Sequence, residues 1–375
     1  MCNAKFCQRR GIRHRVLGRL LALWVLAWSH AAGADEAQTL HLPAADPMSP
    51  SRSLAIHAAL DMPQATPLIK AFHRHYPQID VRYRNMSTLE LYQGFLRDPQ
   101  GVDVVISSAM PWQFSLANDG HARALAPKTL DHWPEWAQWR RELVAFTFEP
   151  VVMVYHRKLT DVAKPPTNHA RLLSLLQEHQ DRLRGRVATY DPAESGAGYS
   201  YAMEDARLSP RYRELVAALG GVKANLETTT SRMLEGLASG RYWLGYNLLG
   251  SYARAFVDRH PQLEYVIPDD YALVVQRLAF IADEAPHPQA AERFMRFLVS
   301  RRGQQVIDRD TTLGAVHPAV VDRSAQQRAS SHSALRPMEL DPQLLAALDR
   351  LKRRALLSRW QRAFQQGKAS PAIAE

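Results

Sequence analysis

Cysteine is almost missing from this chain. Its 375 residues hold two, Cys2 and Cys7, both near the N-terminus. Once the region carrying them is removed, no disulfide, thiolate nucleophile or cysteine-based metal site remains. Long apolar runs are missing too. After residue 34 none approaches the roughly 18 residues of a stable membrane span, so a soluble processed chain is expected. A strong excess of one charge is missing once position is considered. The formal net charge is +10, from 47 Lys and Arg against 37 Asp and Glu. Lys5, Arg9, Arg10, Arg13, Arg15 and Arg19 all precede the first acidic residue, Asp35. Without those six the balance is 41 to 37, a net of +4. So mild a surplus, with no arginine stripe interleaved by aromatics, argues against nucleic acid. HExxH and GxSxG are absent as well, which speaks against the enzyme classes they mark. No internal repeat or low-complexity tract points to a fibrous or disordered protein.

What is present begins with an export signal. The basic region ends at Arg19, an apolar run covers Leu20 to Trp28, and Ala32-Gly33-Ala34 offers small residues for cleavage. Residues 1–34 therefore read as a signal peptide cleaved near Ala34, with the periplasm as destination. Arg9-Arg10 matches a twin-arginine signal only loosely, so the export route stays open between Sec and twin-arginine, and the alternative to cleavage is an uncleaved anchor.

The length exceeds one typical core, and two domains are expected. The apolar runs Leu54–Ala59 and Val102–Ile106 and the alternating strand Ile79–Tyr83 are interleaved with helical patterns. That interleaving predicts an α/β architecture with a largely parallel sheet. Pro67 suits a helix first turn, and Ser87 with Glu90 forms a capping box. Trp133, Trp136 and Trp139, three apart, read as one packed helix face rather than a sugar platform. Two long apolar runs, Leu143–Tyr155 and Tyr271–Ala282, read as crossovers between domains. Leu344–Phe364 reads as a helix packed on the outside, with Leu344, Leu348, Leu351 and Ala355 on one face.

Three loops share one local design: buried strand, small polar loop, helix start. In the first, Val187–Tyr190 runs into Ser195-Gly196-Ala197-Gly198 and then Tyr199. The glycines permit a tight turn, and the helix's free N–H groups and dipole suit a carboxylate or phosphate. In the second, Val102–Ile106 leads to Ser107 and Ser108. In the third, Asn247 and Ser251 sit where a strand beginning near Tyr242 yields to a loop. Each loop is also consistent with an ordinary capped turn that binds nothing.

The order and spacing of several segments resemble the periplasmic solute-binding proteins of ABC transporters, in the two-crossover group that includes ferric-ion binders. These segments are AIHAALDMPQATPLIKAF, YPQIDVRY, GVDVVISSA, EPVVMVYH, GRVATYDPAESGAGY, LASGRYWLGYNLLGSYA and AERFMRFLVSRRGQQVI with LGAVHP. The resemblance covers about residues 54–320 and implies a two-lobed periplasmic-binding-protein fold with two crossover strands. Lobe 1 would comprise 54–145 and 272–320, lobe 2 150–268, and a C-terminal helical extension 335–366. It implies ligand contacts from Leu60, Asp61 and Met62, from Ser107 and Ser108, from Ser195 to Tyr199, and from Tyr246, Asn247 and Ser251. Ferric-binding members tend to carry adjacent tyrosines in the later loop. Here Tyr246 is followed by Asn247, and an amide is a poor donor for a hard ferric ion. A small phosphorylated or carboxylated organic anion is the preferred ligand, with ferric ion and a periplasmic enzyme as alternatives and no cofactor or metal assigned. NLLGSYA and the helical tail are also similar to the phosphoglycerate transport regulatory protein and its relatives. The implied partner is thus an ABC permease or a membrane sensor kinase, served by a monomer.

Overall fold

The computed structural model describes residues 38–46, 52–321 and 334–369. The export signal and both cysteines lie outside the described residues, as does most of the Ser/Gln/Arg-rich stretch before Ala334. Among the described residues no helix is long and apolar enough to cross a membrane.

The chain starts with β1 (Thr39–Leu42) and β2 (Arg52–Ala58), followed by α1 (Met62–His75), β3 (Ile79–Asn85), α2 (Thr88–Arg97), β4 (Val104–Ser107) and α3 (Met110–Asn118). β5 (Ala122–Arg123), β6 (Gln138–Trp139) and β7 (Leu143–Ala145) are short. These strands join one sheet, ordered β1-β3-β2-β4 and then onward to β7 and β6. β3 and β4 flank β2 in parallel, as expected for strands joined through helices. Every residue of β4 is buried, which explains its unbroken apolar sequence.

The chain then passes to a second sheet. It runs through β8 (Glu149–His156), α4 (His169–Glu178), α5 (Gln180–Leu183), β9 (Val187–Tyr190), α6 (Gly196–Leu208) and α7 (Tyr212–Gly221). β10 (Asn225–Glu227), α8 (Thr230–Ala238), β11 (Leu244–Leu249), α9 (Gly250–Val257), β12 (Leu263–Val266) and β13 (Ala272–Val275) complete this passage. β14 (Leu278–Ala282) returns to the first sheet, between β4 and β7, and α10 (Pro288–Val299) and α11 (Arg301–Asp310) follow. The last elements are β15 (Leu335–Pro337), α12 (Gln343–Leu348) and α13 (Arg350–Ala369). The second sheet is ordered β10-β9-β11-β8-β13-β15, with β12 also on β8. Two sheets joined by two crossings form a two-lobed α/β protein.

Several local expectations change. The crossings fall at 146–148 and 276–277, so Ala272–Val275, grouped above with the first lobe, pairs within the second sheet. Helix α1 begins at Met62 with Pro63 in its first turn, and Pro67 lies inside it. The tryptophan stretch is not one helix face: after Pro134 only a 3-10 turn, Glu135–Ala137, forms, Trp133 is buried and Trp136 is 45% exposed. The C-terminal helix breaks at Asp349, whose carboxylate accepts from the N–H groups of Leu351 (3.1 Å) and Lys352 (2.9 Å). The break ends the helical periodicity and leaves Leu351 69% exposed. The capping box at Ser87 and Glu90 forms as read.

Candidate functional site

Where the two lobes meet, helix starts from both sides come together. In the first lobe, β2 ends in the loop Ala59-Leu60-Asp61. Leu60 is buried, and its carbonyl accepts the Tyr83 hydroxyl. Asp61 precedes α1, and its backbone oxygen accepts the N–H groups of Gln64 and Ala65, both at 3.0 Å. Its own N–H donates to the Tyr252 hydroxyl of α9 at 3.0 Å. Its carboxylate accepts from Ser231 in the first turn of α8 and, at 3.4 Å, from the Asn85 amide. Asp61 is thus held by both lobes. Met62 packs half-buried against the core.

The glycine loop provides a second bridge. Ser195 caps α6 through the Gly198 N–H at 3.2 Å. The Gly196 N–H donates to Thr88 Oγ1 at 3.0 Å, from the start of α2 in the other lobe. A side chain on Gly196 would overlap the Trp112 ring of α3, so glycine allows the close approach there. Ala197 and Gly198 are buried beside these contacts. Ser107 ends β4 in the first lobe, Ser108 follows it, and Ser107 Oγ accepts the Ala109 N–H at 3.1 Å. Both serines are 3% exposed.

Beneath these loops lies a buried ion pair. Arg277, at the return crossing, donates from Nε to Glu149 Oε1 at 2.9 Å and from Nη1 to the Ala59 carbonyl at 2.6 Å. Glu149, at the outward crossing, also accepts from Thr147 at 2.8 Å and from Ser251 of α9. The two side chains are 1% and 0% exposed. Burial alone would lower the arginine's pKa, but the Glu149 carboxylate outweighs it and holds the guanidinium charged.

Among the described residues, two buried polar atoms beside these loops have no partner, the Tyr201 hydroxyl and Asn85 Oδ1, and a third, Gln276 Oε1, lies at the return crossing. The Tyr201 ring meets Tyr190 edge-on at 5.6 Å, and the Tyr190 hydroxyl shares a 2.5 Å bond with Thr230. Burial pushes the Tyr201 hydroxyl well above its ordinary pKa, so it is a neutral donor.

Tyr199, Tyr246 and Asn247 are turned elsewhere. The Tyr199 hydroxyl donates to the Ala347 carbonyl of α12. Tyr246 and Asn247 donate to Asp205 Oδ2 at 2.8 and 2.7 Å, and Tyr271 donates to its Oδ1 at 3.0 Å. Burial raises the pKa of Asp205 despite these donors. β11 bulges between Gly245 and Leu248, and Asn247 has φ 65°. The bulge sends two adjacent polar side chains to one buried carboxylate, although neighbours on a regular strand face opposite ways. Sequence reasoning missed Asn85, Thr230, Ser231, Tyr201, Tyr252 and Arg277 as junction residues. A signal for Arg277 existed: Gln276-Arg277 is a polar interruption in the apolar run Tyr271–Ala282. Among the described residues no three His, Cys, Asp or Glu side chains group as they would around a metal ion.

Residues 57–310 match the family model for bacterial extracellular solute-binding proteins. Comparison with curated proteins finds no match. Among solved structures, the chain is similar to the substrate-binding protein of an ABC transporter from Agrobacterium tumefaciens. Identity is 34%, the TM-score is 0.83, and the alignment covers 88% of this chain and 98% of that one. The fold is shared with AfuA from Actinobacillus pleuropneumoniae, solved with fructose 6-phosphate, at 16% identity, TM-score 0.68 and coverage of 84% and 99%. Iron-bound HitA from Pseudomonas aeruginosa shares it at 17% identity, TM-score 0.61 and coverage of 83% and 99%. With its two lobes meeting in a polar junction, the chain belongs to the bacterial extracellular solute-binding proteins of ABC transporters.

Proposed function

We propose that the chain captures a small organic anion, phosphorylated or carboxylated, between its two lobes and delivers it to an ABC permease outside the cytoplasm. The observation that carries this reading is the unpartnered pair, Tyr201 OH from the second lobe and Asn85 Oδ1 from the first. Buried polar groups are nearly always hydrogen-bonded. A free donor and a free acceptor at one junction therefore call for a partner from outside the chain, one that carries both an acceptor oxygen and a hydroxyl. Hydroxy acids and sugar phosphates have that pattern.

An anion is favoured by the helix starts. Arg277 is neutralised by Glu149, so the attraction comes from the N-terminal turns of α1, α6, α8 and α9. The Asp61 carboxylate on Ser231 is a precedent within the chain. The proposed contacts are Leu60, Asp61, Met62, Ser107, Ser108, Ser195 to Gly198 and Ser251, joined by Asn85, Ser231 and Tyr201. Tyr246 and Asn247 act through the bulge they stabilise, and Tyr199 through α12. Ferric ion fits less well, because Tyr246 spends its hydroxyl hydrogen on Asp205 and burial holds its pKa well up, whereas iron needs a phenolate. The protein works as a monomer in this reading, and a membrane sensor kinase is the second partner considered.

A thermal-shift screen tests the reading. The panel holds phosphoglycerates, phosphoenolpyruvate, fructose 6-phosphate, di- and tricarboxylates, phosphate and ferric citrate. A ligand at about 100 times its Kd adds roughly 2.7 kcal/mol, a rise of several degrees in Tm. A rise with one organic anion supports the proposal. A rise with ferric citrate alone, or with nothing on protein free of carried-over solute, contradicts it.

A further inference from the structure

The C-terminal segment touches both lobes at the place where they meet. β15 pairs in parallel with β13, Leu335 opposite Ala272 and Pro337 opposite Val274. The Met338 N–H donates to the Val274 carbonyl at 2.9 Å, and its carbonyl accepts from Gln276 Nε2 at 3.2 Å. These bonds fix the start of the segment to the second sheet. Its end is fixed to the same lobe. α13 lies along α7 so closely that a Cβ on Gly220 would overlap the Phe364 carbonyl, and one on Gly367 the Ala217 carbonyl. Trp360 Nε1 donates to the Tyr212 hydroxyl at 3.2 Å.

Between these two anchors the segment reaches over to the first lobe. α12 packs against α3, and its Leu344 is 4% exposed. One turn beyond Leu344 the Ala347 carbonyl accepts the hydroxyl of Tyr199, three residues beyond the Gly196 that abuts Trp112 of α3. Arg353 lies over the Tyr199 ring at 5.4 Å. α12 is thus wedged between α3 of one lobe and the first turn of α6 of the other. Its grip on the first lobe is a single six-residue helix, whereas its grip on the second is a strand and a 20-residue helix.

We propose that residues 334–369 form a clasp that holds the lobes closed, and that opening detaches α12 from α3 while the rest of the segment stays with the second lobe. The proposal concerns the solute-free protein and rests on the family reading that the lobes separate. A clasp biases the open–closed equilibrium by the contacts made in one state only.

The test uses spin labels at Gln93→Cys on α2 and Glu235→Cys on α8, both exposed positions, in the full chain with Cys2 and Cys7 changed to serine. Without any solute, Leu344→Asp is expected to raise the population at longer distance several-fold over the parent. Leu344→Ala is the fold-preserving variant: should Leu344→Asp not fold, Leu344→Ala decides by the same criterion. Distance distributions in the folded variants that superimpose on the parent overturn the clasp. Since no solute is added, a failure of anion capture does not move this result, and a failure of the clasp does not move the thermal-shift screen.

Discussion

Arg277 and Glu149 stand at the two points where the chain passes between its sheets, and each is tied to more than the other. Arg277 reaches the Ala59 carbonyl in the first lobe, and Glu149 receives Ser251 from the second. The pair therefore fixes both crossings and the loops beside them. Breaking such a pair from one side leaves a buried charge alone, which typically costs about 3–5 kcal/mol. Glu149→Ala is expected to lose stability of that order in denaturant unfolding, and changing Arg277 to Met in the same chain should recover part of it. A loss under about 1 kcal/mol in the single variant would mean that water reaches Arg277. At this scale the sequence was only partly legible. Ser107 and Ser195 could be read as groups that receive backbone N–H bonds at a helix start, which the structure shows, and their part in holding a solute stays a proposal. Asn247 could be flagged but not aimed. Residue type does not say that a bulge and a positive φ turn it toward Asp205. Tyr201 was legible only as a helical aromatic, since the missing partner of its hydroxyl is a property of the packed state.

Among the elements, β4 was readable because burial on both faces demands an unbroken apolar run, and β3 because one buried face gives alternation. The stretch 133–139 and the C-terminal helix were misread for one reason. Spacing of three or four residues was taken as helix, and Pro134 and Asp349 each interrupt the pattern. The pairing of α7 with α13 was not legible at all. It depends on glycines from segments far apart in sequence, Gly220 and Gly367, whose backbones nearly touch the opposing carbonyls. Gly367→Ala would force α13 away from Ala217. It is expected to destabilise by about 1–3 kcal/mol, in the range of overpacked cores, and to lower Tm by several degrees in a thermal melt. An unchanged Tm would mean that α13 is held mainly by Phe364 and Trp360.

For the whole molecule, the alternation of strand and helix and the two long apolar runs carried the architecture, and the order of motifs carried the family. The nature of the solute was not carried. It depends on which polar groups from the two lobes end up facing one another, and that pairing exists only once both crossings are made. The central claim is that a solute anion satisfies the free groups Tyr201 OH and Asn85 Oδ1. The most direct measurement is the thermal shift of wild type and Tyr201→Phe with the same anion. Removing an unpaired buried hydroxyl should leave the solute-free Tm unchanged or slightly raised, because nothing in the chain bonds to it. The shift on adding the anion should shrink, with apparent affinity falling about tenfold for a lost bond of roughly 1.4 kcal/mol. A variant that loses solute-free stability while keeping the full shift would contradict the account, placing the Tyr201 hydroxyl in the fold and not in the site.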